Sequence, residues 1–109
     1  MFININCEFH AGQATINVGD NVQLAMGVCL CCHTHEIKNQ TSRAQETVYG
    51  DINICDGCWI GARTIVLPNV TIGKGCVIAA GSVVIKDCES NWLYAGTPAR
   101  KIKYLGNLE

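Results

Sequence analysis

The chain has 109 residues and a formal net charge of −1, and its sequence pI lies near 6.3. This balance excludes the strongly basic surface that binds nucleic acid or an anionic membrane, and the chain has no run of about 18 apolar residues that would predict a membrane span. Its first residues lack the basic and apolar regions of a signal peptide. We therefore predict one domain over 1–109 in a soluble, cytoplasmic protein.

An aliphatic residue recurs every sixth position through most of the chain. The first block holds Val18, Leu24 and Leu30, and the second holds Ile54, Ile60, Val66, Ile72, Ile78 and Val84. Four residues after each stands a small or β-branched residue: Val22, Val28, Thr34, Cys58, Thr64, Val70, Cys76, Ser82 and Cys88. A period of six fits neither a helix nor one long strand, and it is typical of a repeat with one short strand and one corner per hexad. The pattern predicts an all-β parallel β-helix with three hexads per coil and coils about 4.8 Å apart.

The eight cysteines allow three interpretations. A disulfide framework would suit a secreted protein, which the missing signal peptide disfavours. A metal site is suggested by the spacings Cys29-x-Cys31-Cys32-His33-x-His35 and Cys55-x-x-Cys58. The third interpretation is that of reduced thiols acting as small apolar residues. The repeat favours the third, because it places Cys58, Cys76 and Cys88 inside the coil and turns Cys55 outward. We predict no metal site.

The repeat is interrupted once and then ends. Glu36 and Ser42 would occupy inward positions, where unpaired polar side chains are costly. We predict that about 36–47 form a loop thrown out from a corner, and that the coil resumes at Val48 with the count of hexads intact. Long loops of this kind are usually functional. Residues from about 89–109 are predicted to form a C-terminal cap with a basic, partly helical tail.

With these residues in view, the chain resembles the hexapeptide-repeat acyltransferases, in particular the galactoside and maltose O-acetyltransferase branch. The similarity spans about 2–105 and rests on FININC, THEI, GDINICDGCWIGARTIVLPNVTIGKGCVIAAGSVVIKD and YAGTPARKIK. The resemblance implies a left-handed β-helix, a homotrimer, and acetyl-CoA as acyl donor with no permanently bound cofactor. It also implies direct transfer within a ternary complex, without an acyl-enzyme.

The resemblance places the catalytic general base on His35, directly before the loop. A neutral imidazole can accept the proton that a hydroxyl or amine loses as it attacks the thioester. His33 is the alternative base, although we expect its ring to point to the opposite side of the strand or to the base of the loop. His10 lies outside the motif and is interpreted as a surface residue.

For the acceptor side, the resemblance indicates Asn4 and Trp59 as substrate-binding residues. Asn4 could instead be a corner residue in a left-handed turn. The family carries an acidic residue eight positions after this Asn, where the present chain has Gly12. Relatives also have an N-terminal helical segment near the acceptor site, and this chain is expected to begin inside the coils.

The donor side is better preserved. Ala62 and Ala80 are eighteen residues apart and should stack on the same edge of adjacent coils, leaving a groove for the pantetheine arm. The resemblance extends the acetyl-CoA contacts to Ile85, Lys86, Arg100 and Lys103. Cations of the tail, including Lys101, could bind the nucleotide phosphates.

The predicted function is therefore acetyl transfer from acetyl-CoA to a hydroxyl or amine of a small, sugar-like acceptor, without nucleic acid or membrane partners. The first alternative is a non-catalytic, truncated β-helix that serves as a structural or assembly unit. The second is a zinc enzyme of the γ-carbonic-anhydrase kind, which disagrees with the short tail and with having only His33 and His35 close together.

Overall fold

The computed structural model describes residues 1–106 and contains only strands and connecting turns. In chain order the strands are β1 (Phe2–Ile3), β2 (Glu8–His10), β3 (Ile16–Val18), β4 (Gln23–Leu24), β5 (Cys29–Cys31), β6 (His33–Ile37), β7 (Ala44–Tyr49), β8 (Ile52–Ile54), β9 (Trp59–Ile60), β10 (Ile65–Val66), β11 (Thr71–Ile72), β12 (Val77–Ile78), β13 (Val83–Val84), β14 (Trp92–Gly96) and β15 (Ala99–Tyr104). Over residues 1–106, no helix of the length and hydropathy needed to cross a membrane is found.

Three parallel sheets form the sides of a prism. Sheet A has the order β1-β4-β9-β12-β14-β15, sheet B has β2-β5-β10-β13, and sheet C has β3-β8-β11. The chain runs through one strand of each sheet in turn and then starts the next coil, so that neighbours within a sheet are parallel, apart from β14 and β15. This architecture confirms the predicted all-β parallel helix of hexapeptide repeats.

The three edges of the prism are named here by the sheets they join. The A/B corner consists of 4–7, 25–28, 61–64 and 79–82; the B/C corner includes 11–15, 67–70 and 85–88; and the C/A corner consists of 19–22, 55–58, 73–76 and 89–91. At two corners, the corresponding residue of each coil has a positive φ, the left-handed backbone conformation. These residues are Asn6, Gly27, Arg63 and Gly81 at the A/B corner and Asn21, Gly57, Gly75 and Asn91 at the C/A corner. Glycine and asparagine tolerate a positive φ best, which explains their frequency in this sequence.

The interior of the prism is built by the two recurring positions. Its largest fully buried side chains are Leu24, Leu30, Ile52, Ile54, Ile60, Ile72, Ile78, Val22, Val28, Val66, Val70 and Val84. Cys58, Cys76 and Cys88 are also buried, Cys55 is half-buried, and all eight cysteines are free. The buried thiols donate to backbone carbonyls, as from Cys58 Sγ to Gly73 O at 3.1 Å. The predicted role of these cysteines in packing is confirmed.

The protruding segment is longer than predicted and is ordered as an antiparallel hairpin of β6 and β7. Regular coils place partners eighteen residues apart, as for Ile60 and Ile78, whereas Val18 pairs with Ile54 at thirty-six. Residues 33–50 are thus extruded from the B/C corner, and the bond from Gly50 N to Cys32 O, 2.9 Å long, closes the base of this hairpin.

The predicted return of the coil at Val48 is wrong. Val48 lies on β7 and is 37% exposed, and Thr34, predicted to point inward, is exposed on β6. The small inward position after Leu30 is filled by Ile52 and the next aliphatic position by Ile54, both buried. The backbone pairing of the hairpin strands satisfies their polar groups outside the prism, so these residues need no place within it.

The C-terminal segment is a strand rather than the predicted partly helical tail. β15 pairs antiparallel with β14 and extends sheet A, with a register shift between Leu93 and Tyr94. An open sheet edge offers hydrogen-bond partners to every second residue, and this tertiary pairing outweighs the helix preference of a Lys- and Arg-rich segment. Residues 107–109 of the predicted cap lie outside the described part of the chain.

The last coil is two residues shorter than a regular coil of eighteen residues. Tyr94 opposes Ile78 and Cys88 opposes Ile72, both at a separation of sixteen. Cys88 therefore occupies an aliphatic position of the repeat, not the small position that the hexad count predicted, although it is buried as expected. The shortening leaves sheet C without a full strand at this level.

Candidate active site

An open cavity of about 350 Å³, termed here the histidine cavity, lies between the hairpin and the first coil. It is lined by His10, Gly12, His33, His35, Thr47 and Tyr49. These include all three histidines of the chain. Strand β2 contributes His10, β6 contributes His33 and His35, and β7 contributes Thr47 and Tyr49. The hairpin therefore brings distant imidazoles to one place at the B/C corner.

His35 is exposed on β6 and held from one side. Its Nδ1 lies 3.0 Å from the carbonyl oxygen of Gln45 on β7. A carbonyl only accepts hydrogen bonds, so Nδ1 carries the proton and Nε2 of the neutral ring keeps its lone pair. This is the tautomer and the kind of support that a general base requires.

His33 lies at the base of the hairpin, which is the second of the two expected positions, and it lines the same cavity as His35. Residues two apart on a strand share a face. Its ring is 6.4 Å from that of His10 in an edge arrangement and 6.3 Å from that of Tyr49, and its Nδ1 is 3.8 Å from Cys31 Sγ. His33 is half-buried among these groups, which favours a packing role over that of base.

His10 was interpreted from the sequence as a surface residue, and its side chain is exposed, but nothing in the sequence indicated its place at the candidate site. It borders the histidine cavity, and its Nε2 is 2.8 Å from Glu8 Oε1 on the same strand. In the register of β2 and β5, His10 opposes Cys31 at a separation of twenty-one. A count in steps of eighteen could not place it there, because the first coil contains three additional residues.

Gly12, the position of the acid in the resemblance, also lines the cavity. It has a φ of 58°, and an ideal Cβ on it would lie 2.2 Å from Cε1 of Tyr49. The tyrosine ring thus occupies the space into which a side chain at this position would extend. Tyr49 was not identified from the sequence, because its approach depends on the return path of the hairpin.

Asn4 and Trp59 lie away from this cavity in the same chain. Asn4 is at the A/B corner, where its Oδ1 accepts a hydrogen bond of 2.7 Å from Ile5 N, and the left-handed corner residue is Asn6. Trp59 is 55% exposed on the outer face of sheet A, between Gln23 and Val77. The predicted exposure of Trp59 is confirmed.

The residues predicted to contact acetyl-CoA divide between two corners. Ala62 and Ala80 stack at the A/B corner, where Gly81 N donates to Ala62 O at 2.8 Å. Arg100 pairs with Ala95 beside this corner, and Lys103 pairs with Leu93 on sheet A. Ile85 and Lys86 are exposed at the B/C corner, the same edge from which the hairpin emerges. One chain therefore does not bring all six residues into a single groove.

Lys101, the neighbouring cation, is already engaged. It is paired with Glu89 and lies over the ring of Trp92 at 4.6 Å, and the hydrogen bond to Glu89 raises the pKa of its ammonium group. Its contacts belong to a depression of about 560 Å³ below the last coil, lined by Asp87, Glu89 and Tyr94 among others. Asp87 there accepts from Thr71 N at 2.8 Å, replacing a missing strand partner. The missing strand of sheet C in the last coil therefore explains this depression.

Metal binding has no evident location in the part of the chain that the structure describes. Among residues 1–106, no three or more His, Cys, Asp or Glu side chains are grouped so that they could hold a metal ion. Glu8 contacts His10, and Cys31 contacts His33, so these side chains form two separate pairs.

Comparisons with known proteins show which sequences and folds this chain is similar to. A family model described as bacterial transferase hexapeptide (six repeats) matches residues 51–86. A Schizosaccharomyces pombe protein is 44% identical over 97% of this chain and 51% of its own length, and its name describes it as an inferred acetyltransferase. Galactoside O-acetyltransferase of Escherichia coli is 37% identical over 85% of this chain and 46% of its own. The structure of a hexapeptide-repeat acetyltransferase of Vibrio cholerae in complex with acetyl-CoA has a TM-score of 0.88 and 36% identity, and the match covers 97% of this chain and 57% of that one.

Fold and similarity together define the class: the chain belongs to the hexapeptide-repeat acyltransferase family, and its coils form the left-handed parallel β-helix of that family. Within this class, the galactoside O-acetyltransferase branch is among its relatives. The chain spans about half the length of these relatives.

Proposed function

We propose that the chain transfers an acetyl group from acetyl-CoA to a hydroxyl or amine of a small, sugar-like acceptor in the cytoplasm. The observation that carries this proposal is the orientation of His35 by the carbonyl of Gln45, at the mouth of a cavity large enough for a small polar molecule. The relatives support acetyl-CoA as the donor, since the Vibrio cholerae structure holds it.

In the proposed reaction, Nε2 of His35 accepts the proton of the acceptor hydroxyl or amine as its oxygen or nitrogen attacks the thioester carbonyl. The carbon–sulfur bond then breaks, and the thiolate of coenzyme A leaves with a proton returned from His35. The transfer is direct, so no cysteine of the chain needs to carry the acetyl group. The contribution of the protein is to position the two substrates and to accept and return one proton.

The division of predicted donor residues between two corners supports a homotrimer. If three prisms stand around a threefold axis with sheet B facing it, the A/B corner of each meets the B/C corner of the next. Ala62 and Ala80 of one protomer would then face Ile85, Lys86 and the hairpin of its neighbour. One groove between protomers could thus hold the donor, with His35 at its end.

The outer face of sheet B has the composition expected of such an interface. One row consists of Glu8, Cys29, Ile65 and Val83, and the row beside it begins with His10 and Cys31, so the face is polar at the first coil and apolar along the coils that follow. Sheet C, in contrast, presents Asn17, Asn53 and Thr71, and Asn17 Nδ2 donates to Asn53 Oδ1 at 2.8 Å. A row that is apolar at three of its four levels favours burial against copies of the same face.

The test is a thiol-release assay with acetyl-CoA and a panel of sugars, amino sugars and amino acids. We expect His35→Ala to lower the rate by a factor on the order of 10²–10⁴, because it removes the positioned base, while coenzyme A still binds in calorimetry. His33→Ala is the matched control on the same strand and should lose far less. A greater loss in His33→Ala would reverse the assignment of the base. Wild-type protein that binds coenzyme A but acetylates no acceptor would favour the non-catalytic assembly unit.

A further inference from the structure

We propose that His10 is an acceptor-binding residue and that Glu8 is its positioning residue, so that the histidine cavity selects an acceptor with at least two hydroxyl or amino groups. This inference rests on the proposed acetyl transfer and concerns the substrate class of that site. One acceptor group is deprotonated at His35, and a second donates a hydrogen bond to Nδ1 of His10.

The contact with Glu8 fixes the tautomer of His10. Its Nε2 lies 2.8 Å from a carboxylate oxygen of Glu8. An ionised carboxylate only accepts, so Nε2 carries the proton and Nδ1 of the neutral ring keeps its lone pair. The side chains of His10 and Glu8 are 48% and 66% exposed, and ion pairs this exposed contribute little to folding. The main effect of the pair is therefore to fix the tautomer of His10, so that Nδ1 is the atom that can accept a hydrogen bond.

Neighbouring aromatic rings hold the imidazole of His10 in place. His33 packs its ring edge-on against His10, with centroids 6.4 Å apart and planes at 77°, and Tyr49 contacts His33 at 6.3 Å. This row of three rings forms one wall of the cavity and limits the motion of the His10 ring. Strand β2 anchors the same residue from below, since His10 O accepts from Cys32 N at 2.9 Å.

The lining of the histidine cavity offers few groups that can accept a hydrogen bond. No carboxylate is among the six residues that line it, and Tyr49 fills the space at Gly12. A hydroxyl or amine of the acceptor needs a group that accepts its hydrogen, and two imidazoles provide one each: Nε2 of His35 and Nδ1 of His10. Both histidines line the same cavity, and each has its other ring nitrogen engaged, His35 by Gln45 and His10 by Glu8. Two such acceptor atoms match a polyol or amino sugar better than a compound with one hydroxyl.

The experiment measures steady-state transfer from acetyl-CoA to D-glucosamine, D-galactose and maltose. His10→Ala should raise KM for the acceptor about tenfold, the effect of one lost hydrogen bond, while KM for acetyl-CoA changes less than twofold. His10→Asn should recover part of this loss, because its amide oxygen can lie near the position of Nδ1. Glu8→Gln should raise the acceptor KM severalfold, and Glu46→Gln, which removes the same charge from β7, is the matched control. Acceptor deoxy analogues should lose affinity for wild-type protein but not for His10→Ala.

Nitrogen NMR of the imidazoles provides the second readout. The signal that disappears in His10→Ala should report an Nε2–H tautomer in wild-type protein and a mixture of tautomers in Glu8→Gln. An Nδ1–H tautomer, or an acceptor KM within twofold of wild type in His10→Ala, would overturn the inference while leaving the acetyl transfer in place. Failure of wild-type protein to acetylate any of the three probes would overturn the proposed function and this inference with it.

Discussion

Gly12 and Tyr49 form a residue pair in which one side chain occupies the space of another. The φ of 58° at Gly12 disfavours any L-residue, and a Cβ would meet the ring of Tyr49 at 2.2 Å. The ring can turn outward in part, since Tyr49 is partly exposed. The pair thus combines a fixed backbone cost with a contact that a second substitution can relieve.

We expect Gly12→Ala to lower the free energy of unfolding by about 1–2 kcal/mol, of which about 1 kcal/mol is the backbone cost. Tyr49→Ser introduced into this variant should recover the contact part and leave the backbone part. Urea denaturation of wild type, both single variants and the double variant measures the coupling. Additive effects of the two substitutions would contradict the proposed contact.

Cys88 links stability to alkaline pH. Burial, helped by the nearby Cys76 and Asp87, raises the pKa of this thiol from 9.0 to about 12. A thiol that stays protonated in the folded state while it ionises in the unfolded state stabilises the fold fully below pH 9. That contribution is lost as the pH rises from 9 towards 12.

The stability difference between wild type and Cys88→Ala should therefore shrink at high pH, by on the order of 1–2 kcal/mol between pH 8 and pH 10.5. Urea denaturation of both proteins at the two pH values measures it under reducing conditions, and other titrating groups cancel in the comparison. Parallel loss of stability in the two proteins would show that Cys88 ionises equally easily in both states.

At the scale of the element, the hairpin of β6 and β7 is an addition to a complete coil. Its ends meet at the bond between Gly50 N and Cys32 O, and the strands on either side keep their partners in sheets B and C. The coil therefore contains every residue it needs without 33–50. The hairpin instead carries the candidate base and most of the cavity wall.

Deletion of 33–50 should leave a β-helix that is folded by circular dichroism but that transfers no acetyl group. Deletion of 36–47 is the comparison, because it leaves six residues without a place in the coil, and we expect its melting temperature to be lower. Thermal melts of both deletions decide between the two lengths. A more stable protein after the shorter deletion would mean that Val48 can re-enter the coil.

For the whole molecule, the arrangement of faces predicts a cyclic homotrimer through sheet B. Ile65 is 39% exposed in the single chain and lies at the middle of the apolar row of that sheet. Each stretch of a solenoid contacts only its neighbouring repeats, so the outer faces of the coils are left without partners in a single chain. Association would bury this row against its copies in the neighbouring protomers.

Ile65→Lys should dissociate the trimer, because it places a charge in an apolar contact. Thr71→Lys makes the same change in the same coil on the outer face of sheet C and should leave the trimer intact. Light scattering at micromolar concentration measures both variants. A stable monomer in wild-type protein would contradict the trimer, and dissociation only by Thr71→Lys would move the interface to sheet C.

Much of the coil could be predicted from the sequence alone. The inward positions of the hexads are aliphatic or small because they fill a narrow apolar prism, and Gly and Asn recur at corners that need a positive φ. Those demands act within each hexad, so they are visible as a local pattern. The burial of Cys58 and Cys76 and the stacking of Ala62 on Ala80 follow from the same count.

The length of the extruded segment could not be read in this way. Residues 33–50 make up three hexads, so Ile54 remains in the frame whether twelve or eighteen residues leave the coil. Val48 has the residue type of an inward position, and only the pairing of β7 with β6 removes it from the core. The conformation of the basic tail was likewise decided by strand pairing, since the edge of β14 was available to β15.

The sequence by itself thus determined the repeat, the core and the motif around His35, because each depends on neighbouring residues or on a constant step of eighteen. Only the tertiary structure decided the composition of the histidine cavity. The first coil is longer by three residues, and the hairpin folds back over it, so that His10 meets His33, and Tyr49 meets Gly12. Contacts that arise from changes in register and from a returning strand depend on the path of the chain, which a periodic pattern does not encode.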